Sequence, residues 1–328
     1  MSATQDQILD RRRMRRKLTL WRVVSFVAVG IAIVALLSAV AIATGSSFKS
    51  TKPHIARVPI SGFISNSRYA LKRLEKLRKD KNVKGVIVAI DSPGGTTVGG
   101  EALHNAVRAI AKEKPTVTSI GSLAASAGYM IAVASDHIVA PRTSIVGSIG
   151  VIVQYPNATV LLDKLGVRVE EIKSSPIKAE PSPFNDTPQA ARDMLENMLL
   201  DTYQWFADLV KERRGFSDSE SEGLLDGSVY TGKQALDRKL IDALGDENTA
   251  KKWLVEEKKL DEDLKVVTWS LKKPKNDFPL TSALWKGALS ALGIQELAEI
   301  PAKALGTSRL GQVDGMLSVW QVDINGAE

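Results

Sequence analysis

An uncharged apolar segment, residues 23–43, divides the chain into two parts of different character. As a helix, VVSFVAVGIAIVALLSAVAIA is long enough to cross the roughly 30 Å hydrocarbon core of a bilayer. A cleaved signal peptide is the alternative, because Ala41-Ile42-Ala43 resembles an A-x-A cleavage site. However, the apolar part of a signal peptide usually has about 7–15 residues. We therefore predict an uncleaved transmembrane helix over residues 23–43, with the lipid bilayer as its partner.

The positive charge of the chain is concentrated before this segment. The net charge is +7, and residues 1–22 alone contain seven basic and two acidic side chains. A nucleic-acid-binding protein carries its positive charge on the folded body, so we expect no nucleic-acid partner. Basic residues favour the cytoplasmic end of a membrane helix. Residues 1–22 are therefore expected in the cytoplasm, and the polar linker 44–54 and the rest of the chain outside it.

Beyond the linker, strand-like and helix-like segments alternate. The run VKGVIVAI is apolar and β-branched, which is typical of a strand buried on both faces of a sheet. This alternation predicts an α/β fold built from right-handed βαβ units. Strands are predicted at 55–64, 83–90, 115–121 and 136–140, and helices at 67–80, 100–114, 124–134 and 187–215, the last with Thr187 as N-cap.

We expect a single α/β domain over residues 55–261. From residue 262 the composition changes, and the apolar stretch 281–306 is interrupted by two glycines and a proline. This stretch is too interrupted and too charged for a second membrane span. The C-terminal extension, residues 262–328, is predicted to serve either in oligomerisation or core packing, or as a surface that touches the membrane or an apolar substrate.

Two small-residue motifs are candidates for chemistry. The first is Asp91-Ser92-Pro93-Gly94-Gly95, directly after the buried strand. Paired glycines let the main chain approach a ligand and point N–H groups at an oxyanion; an ordinary turn is the alternative. The second is Ser126, among alanines and glycines at the start of an apolar helix. Free helix N–H groups there favour developing negative charge, although a serine in such surroundings is often only a packing residue.

A nucleophilic serine needs a base, and the chain has no cysteine and three histidines. His54 lies in the linker, His104 in an exposed-looking helix and His137 in a short strand, so a Ser-His-Asp triad finds little support. A lysine can serve when burial or nearby positive charge lowers its pKa. Lys178 lies in the Pro- and Ser-rich stretch EEIKSSPIKAEPSPF, but spacing alone does not choose it over Lys173.

Taken together, the motifs resemble the signal peptide peptidase A family, in its short form with one protease domain. The similar segments are IDSPGG, GSLAASAGYMIA, GSIGV, IKSSPIK, SPF and YTGKQALDRKLIDALG, and they extend over about residues 55–245. The resemblance implies a bacterial, membrane-anchored serine protease with a Ser/Lys dyad and a Clp protease/crotonase-like fold. No cofactor or metal is expected.

The resemblance assigns roles to individual residues. Ser126 matches the nucleophile, Lys178 the general base and Ser148 the serine that orients this lysine. The oxyanion donors match the N–H of Ser126 and the pair Gly94-Gly95. The implied substrates are cleaved signal peptides and other short apolar peptides, and the implied assembly is a homo-oligomeric ring. The implied location is the bacterial inner membrane, with the protease domain in the periplasm.

Two positions depart from the family pattern. Ala127 and Lys239 each stand where the family usually has glycine, and the methyl group of Ala127 is expected to tighten the pocket beside the nucleophile. Neither departure removes a catalytic group. The alternatives to a protease are a membrane-anchored scaffold with an inactive protease fold and a crotonase-like acyl-CoA enzyme.

Overall fold

The computed structural model describes residues 52–273, residues 317–319 and helical residues within 17–34. The chain forms two compact units, Met1–Thr51 and Lys52–Glu328. In the first unit, the described residues between 17 and 34 are helical. No helix of the described residues is long and apolar enough to cross a membrane. Much of 23–43, including 35–43, and all of 281–306 lie outside the described residues, so the transmembrane helix stays a prediction.

In the second unit, eight strands of the described residues form one mainly parallel sheet. The order along its main path is β7-β6-β4-β2-β1-β9, and β5 joins β4 to β8. All pairs are parallel except the β6–β7 pair. The strands are β1 (His54–Ser61), β2 (Val83–Ser92), β4 (Thr116–Ala125), β5 (His137–Ala140), β6 (Ile145–Gly147), β7 (Val229–Thr231), β8 (Ala243–Leu244) and β9 (Lys265–Thr268). The predicted α/β class is confirmed.

In the second unit, the helices of the described residues connect these strands. They are α1 (Arg68–Lys79), α2 (Thr97–Ala111), α3 (Ala127–Ala132), α4 (Thr159–Leu165), α5 (Gln189–Arg214), α6 (Asp218–Ser221), α7 (Gly232–Asp237) and α8 (Glu247–Glu256). The sequence predicts Thr187 as the N-cap of α5, but Pro188 holds that position. Gly215 ends α5 in the left-handed conformation, with a φ of 67°, as a glycine after a helix should.

The apolar core lies on both faces of the sheet. Alternate residues of a strand point to opposite faces, and the buried side chains accordingly form two clusters. The larger cluster includes Val86 and Val88 of β2 with helices α1, α2, α3 and α5. The smaller one joins Ile87 of β2 to Ala250 and Leu254 of α8. This two-sided burial explains the continuous apolar run of β2.

The sheet continues beyond residue 261. β9 pairs with the edge strand β1, and the Trp269 N–H donates to Arg57 O at 2.7 Å. Trp269 also stacks on His54, with ring centroids 6.2 Å apart. The first residues of the predicted C-terminal extension therefore belong to the folded α/β unit.

A second, small sheet lies beside the main one. It pairs β3 (Gly94–Thr96) with β10 (Leu317–Val319) in antiparallel register, with Val319 opposite Gly94, Ser318 opposite Gly95 and Leu317 opposite Thr96. One segment of the predicted extension thus lies along the glycine pair singled out from the sequence.

Candidate active site

Ser126 occupies a strained turn between β4 and α3. Its backbone angles are φ 55° and ψ −118°, a conformation that costs a non-glycine residue on the order of 1–3 kcal/mol. Its N–H donates to Gly147 O at 2.8 Å, and its own carbonyl accepts from Met130 N at 2.9 Å. Such strain at a buried serine points to a functional role for Ser126, rather than packing alone.

The parallel register brings three strand ends together around Ser126. Ser92, at the end of β2, pairs with Ala124, and Gly147, at the end of β6, pairs with Ala125. The carboxyl ends of parallel strands are where open α/β sheets bind ligands. The Ser126 Oγ donates to Gly150 O at 3.4 Å, just beyond the end of β6.

Ser148 follows Gly147 at the same edge. Both have positive φ angles, 112° for Gly147 and 52° for Ser148, and the Ser148 N–H donates to Ser228 O at 2.7 Å. Ser148 is therefore a second non-glycine residue with a positive φ at this strand edge, and its supporting role stays a prediction.

The glycine pair is held by Ser92, which our sequence analysis missed as a site residue. The Ser92 Oγ donates to Gly62 O at 2.6 Å and accepts from the Gly94 N–H at 3.1 Å. Its position inside the DSPGG motif was the available signal. The Gly94 N–H is therefore engaged in holding the turn.

The N–H of Gly95 points to the side of β3 that faces away from Ile64. Ile64 N donates to Gly94 O, and Thr96 N donates to Ile64 O, both at 2.9 Å. Because successive peptide groups of a strand alternate in direction, the N–H of Gly95 points away from Ile64, toward the edge where β10 pairs. Of the two glycines, Gly95 therefore has its N–H on the β10 side of the strand, where Ser318 lies opposite it in this structure.

The second donor expected from the resemblance is engaged elsewhere in this structure. The Ser126 N–H bonds to Gly147 O. The next N–H, that of Ala127, is the first of α3 and has no acceptor within its helix. Ala127 N–H is therefore a further candidate donor, whose signal in the sequence was its position directly after the serine at a helix start.

The Ala127 methyl group does not line an open pocket. Ala127 is fully buried, and a Cβ added to Gly100 of α2 would lie 3.0 Å from the Ala127 Cβ. The methyl group thus fills the space left by Gly100 between α2 and α3, which corrects our expectation that it tightens the pocket. Lys239, the other departure, has a φ of 58°, a conformation that explains why glycine would suit that position.

Lys178 lies in an exposed turn. Its N–H donates to Ser175 O at 3.1 Å. Lys173 is different, because it forms ion pairs with Glu171 and with Glu180, the latter at 2.6 Å. The Glu171 and Glu180 carboxylates raise the pKa of Lys173, so Lys173 remains protonated and is a poor base.

The three histidines have structural contacts. His54 stacks on Trp269 and His137 stacks on Trp253. His104 is buried, contrary to our expectation, with its Nδ1 2.7 Å from Met130 O. In the described part of the chain, no group of three or more His, Asp or Glu side chains could hold a metal ion.

A cavity of about 360 Å³ lies beside the turn that follows β6. Gly150, which accepts from Ser126 Oγ, lies in its wall. Its other lining residues are mainly apolar: Ile149, Val151, Leu199, Leu200, Tyr203, Asp226 and Gly227.

A parallel sheet whose strand ends converge on a strained serine, with backbone N–H groups beside it, defines a candidate serine hydrolase. Comparison with known proteins identifies the family. The model of peptidase family S49 matches residues 108–261. A candidate protease of Methanocaldococcus jannaschii is 35% identical over 70% of this chain and 73% of its own length. A candidate protease of Synechocystis is 34% identical over 73% of this chain and 85% of its own length.

A third relative, a candidate signal peptide peptidase A of Enterococcus faecium, is 33% identical over 68% of this chain and 63% of its own length. Among solved structures, a membrane-bound stomatin-specific protease covers 69% of this chain with 17% identity and a TM-score of 0.43, aligned over all of its own length. The chain belongs to peptidase family S49, the signal peptide peptidase A family. The family predicted from the motifs, and with it a protease, is confirmed.

Proposed function

We propose that this protein is a membrane-anchored serine endopeptidase that cleaves signal peptides and other short apolar peptides with a Ser126/Lys178 dyad. The observation that carries the proposal is the strained Ser126 at the convergence of β2, β4 and β6. Membership of a peptidase family supplies the reaction type.

The edge of β3 supports an extended peptide as substrate. β10 pairs along it in antiparallel register, so this edge accepts a segment in strand conformation. Strand addition satisfies main-chain groups irrespective of side chains. A peptide that takes the place of β10 on this edge has its carbonyl groups near the Gly95 N–H, and the apolar cavity beside Gly150 suits an apolar side chain.

In the proposed reaction, neutral Lys178 accepts the proton of Ser126 Oγ while this oxygen attacks the scissile carbonyl carbon. The N–H groups of Gly95 and Ala127 stabilise the oxyanion. Lys178 then gives its proton to the leaving amine as the C–N bond breaks, and water, activated in the same way, hydrolyses the acyl-enzyme. Because Lys178 is exposed here, its segment must close over Ser126 on substrate binding or on assembly of the proposed homo-oligomeric ring.

Cleavage of an apolar signal-peptide sequence by the full chain tests the proposal. We expect Ser126→Ala and Lys178→Met each to lower kcat by 10³-fold or more, as loss of a nucleophile or its base does. Ser135→Ala, another buried serine, and Lys252→Met on α8 are matched controls that should retain activity. Undiminished cleavage by either dyad variant would exclude the dyad.

The proposed anchor has its own test. Protease added to spheroplasts should remove the body of the chain and leave about the first 20 residues protected, because a helix over 23–43 would keep them in the cytoplasm. Digestion of those residues would contradict the proposed topology.

A further inference from the structure

A buried carboxylate lies two residues after the proposed base. The side chain of Glu180 is only 1% exposed, and burying a carboxylate is costly unless hydrogen bonds or a cation satisfy it. Its Oε1 accepts from Lys173 Nζ at 2.6 Å and from Asn185 Nδ2 at 2.9 Å. Its Oε2 accepts from the Ser182 N–H at 3.0 Å. Three donors thus hold this carboxylate in one place.

These donors lie on both sides of Lys178 in the chain. Lys173 precedes the base, and Ser182 and Asn185 follow it. Between them, the N–H of Lys178 donates to Ser175 O at 3.1 Å, and that of Glu180 donates to Ile177 O at 3.3 Å. The carboxylate therefore closes the irregular segment 173–185 into a loop, and Lys178 is part of this loop. Closing the loop restricts its backbone in advance, so less conformational entropy is lost when Lys178 is positioned at Ser126.

We propose that Glu180 is a positioning residue for Lys178, and that Lys173 is the counter-ion of Glu180 rather than a base. This inference rests on the proposed dyad. Glu180 orders the loop that carries the base. Lys173 in turn neutralises Glu180, because an unpaired carboxylate so close in the chain would favour the ammonium form of Lys178 and oppose proton abstraction.

The two members of the pair therefore act on the base in opposite electrostatic directions. In Lys173→Met, Glu180 loses its counter-ion, the unpaired carboxylate stabilises the ammonium form of Lys178, and the acid limb of the pH–rate profile moves to higher pH. In Glu180→Gln, the carboxylate charge disappears while Lys173 remains, and the limb moves to lower pH. The other charged groups between residues 159 and 186, which include the preceding helix α4, are Asp163, Lys164, Arg168, Glu170, Glu171 and Asp186, and both variants leave them unchanged.

The experiment measures kcat and KM of the full chain for an apolar peptide between pH 6 and 10. We expect limb shifts of about half a unit or more, in opposite directions for Lys173→Met and Glu180→Gln. In Glu180→Ala, which also loses the Asn185 and Ser182 bonds, kcat should fall roughly 10-fold or more with KM within about threefold. Glu247→Gln, which removes the carboxylate of the Arg57 ion pair at 2.8 Å, is the matched control and should keep the wild-type profile.

The outcomes separate this inference from the function on which it rests. If Lys178→Met retains activity, the dyad itself is wrong. If Lys178→Met is inactive but both pair variants keep the wild-type profile, Glu180 has no positioning role. Shifts in the same direction for the two variants would also overturn the inference. Lys173→Met tests it even if the Glu180 variants do not fold.

Discussion

Replacement of Gly95 by alanine tests how closely β3 packs against the backbone of Ile64. A Cβ at this position would lie 1.9 Å from Ile64 O and 2.6 Å from the carbonyl carbon and the nitrogen of the same residue. An ordinary contact begins near 3.4 Å, so residue 95 and the backbone of Ile64 must separate by about 1.5 Å. All three opposing atoms are backbone atoms, which cannot move aside as a flexible side chain would.

We expect this substitution to destabilise the protein by about 3 kcal/mol, at the upper end of ordinary overpacking. For a unit of this size, that corresponds to a fall of roughly 6–12 °C in Tm. If the Gly95 N–H binds the oxyanion, a displacement of this size should also lower kcat on the order of 100-fold.

Thermal unfolding and peptide cleavage measure the two effects. Gly215→Ala is the control, because Gly215 has a φ of 67° but nothing within 4 Å of an added Cβ. That variant should lose only about 1 kcal/mol of stability and no activity. A Gly95→Ala protein with wild-type Tm and wild-type kcat would refute the strand geometry described here.

Three further substitutions test the packing around Ser126. Tyr129→Phe removes the 2.8 Å bond from the buried hydroxyl to Leu240 O and should cost about 1–3 kcal/mol in urea unfolding; an unchanged midpoint would contradict this. Gly100→Ala should cost about 1–3 kcal/mol, and less in an Ala127→Gly background if the methyl contact is the cause; equal costs would exclude that contact. Burial lowers the pKa of His104, so the unfolded chain binds its proton more readily and stability should fall with pH below about 6.5. The urea midpoint should drop less between pH 7 and 5 in His104→Asn, and an equal drop would refute the assignment.

Much of the fold could be predicted because burial leaves a clear pattern. The apolar run 83–90 and the periodicity of 67–80 appear as β2 and α1. The short edge strands were not predicted, because strands such as β9 have partners on one side only and carry exposed residues. The burial of His104 was missed although the pattern contained it, since His104 lies in the helical stripe that also holds Gly100 and Val107.

The candidate site, like the fold, could be predicted only in part. The motifs indicated Ser126 and the glycine pair, and the resemblance added Ser148; the parallel register brings the ends of β2, β4 and β6 together around Ser126. Sequence spacing could not distinguish Lys178 from Lys173, because the difference lies in the ion pairs of Lys173 with Glu171 and Glu180. It also could not distinguish the two glycines, because the direction of each N–H depends on the pairing of β3.

Covalent labelling of Ser126 tests the central claim most directly. The full chain is treated with a serine-directed acylating inhibitor, and the modified residue is located by peptide mass spectrometry. The dyad predicts a single adduct on Ser126 that forms rapidly in the wild type, at least 100-fold more slowly in Lys178→Met, and at the wild-type rate in Lys252→Met. An adduct on another residue, or labelling of Ser126 at the wild-type rate in Lys178→Met, would contradict the dyad.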